Sequence, residues 1–224
     1  MVKIFKIFSL ILLSLILPFM LVGCGSKPSK EYYAGVEDSD IVKLTLFTYD
    51  GKGESHFGLM NLGHTFLSFE NVSDEDVVVG KMSVAPGETI ALGTWSVLSH
   101  FGIWYNLEGN YIDFNNKYDG RVSVTIGINS DDLSKVNKFI EENDRWNPIN
   151  NCSYFALNLY NTVASDTENI PCPVIYTPTY IAEHIRAFVE FDENKTIESN
   201  GKFGYFDGEN YIEYSFTGET NEGN

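Results

Sequence analysis

The run Ile41-Val42-Lys43-Leu44-Thr45-Leu46-Phe47-Thr48-Tyr49 alternates in character along most of its length, with the period of two expected of a strand. Residues 62–71 repeat the pattern, with His64, Phe66, Ser68 and Glu70 on one face and Thr65, Leu67 and Phe69 on the other. Val77-Val78-Val79, residues 89–95, residues 102–108 and residues 121–128 read as further strands. Between them lie Asp50-Gly51-Lys52-Gly53, Asn71-Val72-Ser73-Asp74-Glu75-Asp76 and Ala85-Pro86-Gly87-Glu88, all with turn chemistry. Short strands with frequent turns predict an antiparallel, curved sheet.

The period then changes to that of a helix. Asn129-Ser130-Asp131-Asp132 opens one, with Leu133, Val136, Phe139 and Ile140 on its inner face. Asn150 or Asn151 caps a second, in which Phe155, Ala156, Leu159, Tyr160 and Val163 form one buried face. Thr177-Pro178 opens a third, carrying Ile181, Ile185 and Phe188, with proline at a favoured first position. The fold class is therefore α+β, one domain over residues 41–190. Residues 191–224 follow as a peripheral hairpin, with strands at 203–206 and 211–216, and an acidic tail.

The first residues belong to a different regime. Lys3 and Lys6 precede an apolar run from Ile7 to Val22 that is broken by Pro18, short of the roughly 20 residues a spanning helix needs. Leu21-Val22-Gly23-Cys24-Gly25 resembles a bacterial lipobox. That resemblance implies a signal peptide over residues 1–23, a diacylglyceryl group on Cys24 and a tether over 24–40. The chain is then membrane-anchored through lipid on the extracytoplasmic face, with at least two acyl chains holding it. An ordinary secretory peptide is the alternative. A formal charge of −16 and a pI near 4.5 argue against nucleic acid as a partner and against a peripheral grip on anionic lipid.

Of three cysteines, Cys152 and Cys172 remain after Cys24. In an exporting compartment they form either a disulfide or two separate thiols. Cys152 sits in the first turn of its helix, where unpaired N–H groups and the helix dipole lower a thiol's pKa, making it a candidate nucleophile. A thiolate needs a base, and there are four histidines. His56 and His100 fall in loops and His184 on a helix flank. His64 follows a glycine at the start of a strand and projects from one face of the sheet. A cysteine at a helix start, packed on a sheet that carries histidine, suits thiol catalysis. No spacing supports a zinc or calcium site, and no cofactor is expected.

Gly63-His64-Thr65-Phe66-Leu67-Ser68-Phe69, followed much later by Asn151-Cys152-Ser153-Tyr154-Phe155-Ala156, resembles the circularly permuted branch of the NlpC/P60-like papain-fold superfamily. That branch includes lecithin:retinol acyltransferase-like proteins and bacterial permuted amidases, and the likeness covers residues 41–188. It implies a permuted papain-like fold and a cysteine hydrolase or acyl transferase, with Cys152 as nucleophile and His64 as base. The expected bond is an amide, with cell-wall (peptidoglycan) peptide as the default substrate because of the anchor. The superfamily also orients its histidine with a third polar residue on a neighbouring strand. Glu88, Thr94, Asn106 and Glu108 are candidates, and Asn106 is preferred because an amide accepts from an imidazole N–H while resisting ionisation. Two rivals stand beside this reading: a silent binding module on the same fold, with aromatics such as Tyr32, Tyr33, Trp95, Trp104 and Tyr105 around a groove, and an acyl or lipid transferase. Apolar walls beside Cys152 favour the transferase, and polar walls favour a peptide.

Overall fold

The computed structural model describes residues 34–52, 63–96, 100–115, 117–198 and 202–214. The signal segment 1–23, Cys24, most of the tether, Tyr32, Tyr33, His56 and the acidic tail lie outside the described residues. Within them, strands β1 (Val42–Tyr49), β2 (His64–Asn71), β5 (Thr89–Trp95), β6 (Gly102–Tyr105) and β7 (Val122–Ile128) lie where the alternation places them. With β8 (Asp192–Glu193), β9 (Phe203–Asp207) and β10 (Asn210–Tyr214) they form one sheet in the order β10-β9-β6-β5-β2-β1-β7-β8, every pairing antiparallel.

Three parts of this differ from the sequence-based expectation. β3 (Val77–Val79) and β4 (Met82–Val84) pair only with each other, as a separate two-stranded sheet. The C-terminal hairpin is continuous with the main sheet through Tyr105 and Gly204, and its Phe203 is buried in one cluster with Ile197. Residues 102–108 are not one strand: the strand stops at Tyr105, and helix α1 (Leu107–Asn115) begins two residues later. Leu107, Tyr111 and Ile112 recur at helical spacing there and are buried.

The remaining helices are α2 (Ser130–Glu142), α3 (Cys152–Val163) and α4 (Pro178–Ile185). Asn129 caps α2 by accepting from the N–H groups of Asp131 and Asp132, and Thr177 caps α4 by accepting from Tyr180 N–H. α3 lies on β2, β5 and β1, α4 on β1 and β7, and α1 on β5 and β9.

Both faces of the central strands are therefore covered, which explains why β1 and β2 bury nearly every residue. One core joins Leu44, Leu46, Leu67, Phe69 and Leu92 to Phe155, Leu159 and Ile181. The other joins Phe47, Phe66, Trp104, Leu107, Tyr111 and Phe203. At about 1.5–3 kcal/mol for each large apolar side chain removed from water, these contacts hold α1 and α3 firmly on the sheet. No described helix is long and apolar enough to cross a membrane.

Candidate active site

Cys152 is the first residue of α3, and the local sequence explains how it is held. Asn151 caps the helix with its side-chain oxygen on Tyr154 N–H, at 2.9 Å, while its amide donates to Tyr176 O at 3.1 Å. Upstream, Asn147 Oδ1 accepts from the N–H groups of Ile149 and Asn150 and closes the turn that feeds the helix. Phe155, Ala156, Leu159 and Tyr160 then anchor α3 in the core, and Val163 packs at its edge.

His64 opens β2. Gly63 before it has φ +75°, a conformation open to glycine, and a Cβ there would strike Tyr49 O and come within 2.9 Å of Pro178 Cβ. The chain can therefore pass tightly beneath α4 and deliver the imidazole to Cys152. The thiol and the ring line one cavity and each shifts the other's ionisation. With Nε2 committed to Glu108 Oε1 at 3.0 Å, Nδ1 is the nitrogen left to face the sulfur.

Asn106, the preferred orienting residue, does not reach His64. Its Oδ1 accepts from Ala91 N–H at 3.0 Å, and its backbone has φ 61°. Glu88 lies in a turn and accepts from Ala85 N–H, and Thr94 Oγ1 has no partner among the described residues. Glu108 fills the position. It is fully buried on the first turn of α1, and its Oε1 also accepts from the Trp95 indole N–H at 2.6 Å. Its other oxygen has no hydrogen-bond partner among the described residues. Leaving such an oxygen buried costs about 1–3 kcal/mol, which the apolar face of α1 offsets. A pairing of Leu107 with Tyr111 and Ile112, and an acid in the first turn, is the sequence signal that separates this helix from a strand.

The carboxylate approaches because of a second glycine. A Cβ on Gly93 would collide with Glu108 Oε1 and lie 3.2 Å from His64 Nε2. Aromatic rings enclose the imidazole, with Trp95 at 4.4 Å, Tyr118 at 5.7 Å and Phe66 at 5.8 Å between ring centres. Ring faces at such distances favour a cation.

The electrostatics follow from these contacts. Burial works against a charged ring, but the Cys152 and Glu108 charges and hydrogen bonds outweigh it and raise His64 from 6.5 to about 9. Burial likewise opposes the Cys152 thiolate. His64, the Thr65 backbone N–H and the Ser153 hydroxyl overcome it, and the thiol lies below its ordinary value. The two groups titrate as a coupled pair in which each favours the charged form of the other.

Cys172 does not join them. Both cysteines are free, and Cys172 is exposed, its sulfur 3.7 Å from Asn158 Oδ1. His100 pairs with Asp144 at 3.3 Å, and His184 is buried with Nδ1 against Tyr180 O at 2.9 Å. Among the described residues, no three His, Cys, Asp or Glu side chains converge as metal ligands.

Cys152 and His64 open onto a cavity of about 870 Å³, the size of a small-molecule site. Its walls are largely aromatic or apolar, with Tyr49, Trp95, Tyr118, Trp146, Tyr176 and Pro178, while Asp50 contributes a carboxylate. Compared with family models, curated proteins and solved structures, the chain matches none.

Proposed function

We propose that the protein is a lipid-anchored, extracytoplasmic cysteine hydrolase of the circularly permuted NlpC/P60-like type, cleaving an amide bond. The contact of Cys152, His64 and Glu108 carries this reading, because it supplies nucleophile, base and orienting group in the order that chemistry needs.

In the proposed cycle the Cys152 thiolate attacks the substrate carbonyl and forms a carbon–sulfur bond. The carbonyl oxygen becomes an oxyanion facing the Cys152 backbone N–H, which has no intrahelical acceptor at the first position of α3. The imidazolium of His64 gives its proton to the leaving amine as the carbon–nitrogen bond breaks, leaving a thioester. Water then adds to the thioester, with His64 taking its proton, and the carbon–sulfur bond breaks to release the acid and restore the ion pair. Glu108 holds the ring in place and favours its charged form.

A second reading, transfer of an acyl group from a lipid, is favoured by one observation. The cavity walls beside Cys152 are mostly aromatic and apolar. The lipid anchor on Cys24 brings the site close to either substrate source, cell-wall peptide or membrane lipid.

The test is intact-mass analysis of the protein after exposure to cell-wall stem peptides and, separately, to acyl lipids. A mass increase on Cys152 that Cys152→Ala lacks, with that variant still folded, supports the thioester step and identifies the substrate class. Full turnover by Cys152→Ala on a verified substrate refutes the mechanism.

A further inference from the structure

The four most exposed large apolar side chains among the described residues are Val174 at 101%, Ile149 at 82%, Ile175 at 71% and Phe101 at 63%. All four lie in loops that border the Cys152 cavity. Ile149 follows Trp146, and Val174 and Ile175 precede Tyr176, while Trp146 and Tyr176 both line the cavity. The loops are tied to one another. Trp146 N–H donates to Phe101 O at 3.2 Å, and the Asn151 amide donates to Tyr176 O at 3.1 Å. Single exposed apolar residues are ordinary, but a set gathered on one rim marks a contact surface.

Charge sets the same rim apart. Residues 89–107, 146–165 and 169–182 hold no Asp, Glu, Lys or Arg, in a chain with 31 acids and a formal charge of −16. Those stretches supply Trp95, Phe101, Trp146, Ile149, Val174, Ile175 and Tyr176. Asp50 in the cavity wall is paired with Lys52 and Arg186, and Asp144 at the edge with His100. A second copy of this chain brings a like charge of −16 to the contact, which opposes pairing of two such rims. A bilayer suits the rim better. Its bare aliphatic tips with Trp146 and Tyr176 behind them follow the order of a membrane edge, where aromatic rings sit above the acyl chains. Pro171 and Pro173 restrict the loop that carries Val174 and Ile175, so little freedom is lost when it docks.

The anchor permits this orientation. Gly35 O accepts from Gly127 N–H, and Gly127 is paired with Lys43 near the start of β1, whereas His64 is paired with Tyr49 at its end. The chain therefore enters the domain about 23 Å from the mouth, at about 3.3 Å for each strand residue. Ten residues separate Cys24 from Ala34, a reach of at most about 33–36 Å. The mouth can thus turn down onto the membrane that holds Cys24.

We propose that Phe101, Ile149, Val174 and Ile175 form a docking rim that seats the mouth of the Cys152 cavity on the surface of a lipid bilayer. The proposal rests on the lipid-anchor reading above. The lipid on Cys24 brings the domain to the membrane, and the rim turns the cavity toward it.

The experiment uses the full lipidated chain reconstituted into phosphatidylcholine vesicles whose acyl chains are brominated. Trp95 and Trp146 in the cavity wall report contact through loss of their fluorescence. Intact mass verifies the diacylglyceryl group on Cys24 first, and its absence overturns the anchor and this proposal together. The comparison is a Val174→Asp, Ile175→Asp double variant, which keeps the anchor and whose fully or largely exposed positions should leave the thermal melt unchanged. Quenching in the wild type that the double variant loses supports the docking rim. Absence of quenching in the anchored wild type, or equal quenching in both, overturns it. A wild-type dimer in sedimentation that the double variant dissociates, without quenching, assigns the rim to a second copy and overturns the bilayer. The Cys152 adduct test above reads the catalytic proposal separately, so a missing adduct with intact quenching leaves the docking rim standing.

Discussion

Asn106 pairs with Ala91 twice, donating its backbone N–H to Ala91 O at 2.8 Å and accepting Ala91 N–H on its side-chain oxygen at 3.0 Å. It thereby imitates one more rung of the β5–β6 ladder while its own backbone, at φ 61°, turns out of the sheet. Asparagine tolerates that conformation better than most residues. The turn starts α1, and α1 carries Glu108 to His64. Asn106 acts at this site through the path of the chain, not through contact with the imidazole.

Asn106→Ala should accordingly cost about 2–3 kcal/mol of stability, from a stranded Ala91 N–H together with left-handed strain on an alanine. Asn106→Gly should cost less, because glycine adopts that backbone freely. Urea unfolding of the two variants checks this. Equal losses would mean that the backbone conformation contributes nothing.

Gly93→Ala should lower activity much more than it lowers stability. The added methyl occupies the place of Glu108 Oε1, so the carboxylate must leave His64 Nε2, while Gly93 itself sits within a well-paired strand. We expect kcat to fall at least about tenfold, within the range that general acid–base catalysis contributes. Wild-type kcat in a folded Gly93→Ala protein would show that the Glu108 contact is dispensable.

Glu108→Gln keeps the volume and removes the charge. His64 then loses one of the groups that raise its pKa, so the ring should titrate at lower pH and the ion pair with Cys152 should be less populated. Activity should drop, and its basic limb should move toward neutrality. Nuclear magnetic resonance titration of the imidazole reads the shift directly, and an unchanged His64 titration would remove Glu108 from the electrostatic account.

The wild-type pH profile should be bell-shaped. Activity rises as Cys152 ionises, below the ordinary thiol value, and falls as His64 loses its proton at about 9. Stability should behave differently. His64 is raised, so its contribution is complete below 6.5 and is lost as pH rises through about 9. Cys152 is lowered, so its contribution is present above the unfolded thiol pKa and is lost as pH falls through the folded one. Across the window in which the pair exists, the folded state has one proton more on nitrogen and one fewer on sulfur. Between 6.5 and about 9 the two slopes oppose each other, so this pair should leave stability nearly flat there, with thiolate absorbance and activity at their plateau. A steep stability slope that Cys152→Ala abolishes would contradict this balance.

Local pattern by itself determined a good deal of this protein. Alternation placed β1, β2, β5 and β7, and capping residues placed the starts of α2, α3 and α4, because these features depend on neighbours one to four positions away. Cys152 and His64 were legible for the same reason, each marked by a local setting: a capped helix start and a strand start after glycine. Glu108 was not. Its partner is 44 residues away, and its placement depends on a turn at Asn106 that interrupts an otherwise strand-like run. The hairpin's place on the β6 edge and the separation of β3–β4 are likewise products of packing. Only the tertiary structure decides which side chains meet across the sheet, because those contacts are chosen by shape and register between distant segments.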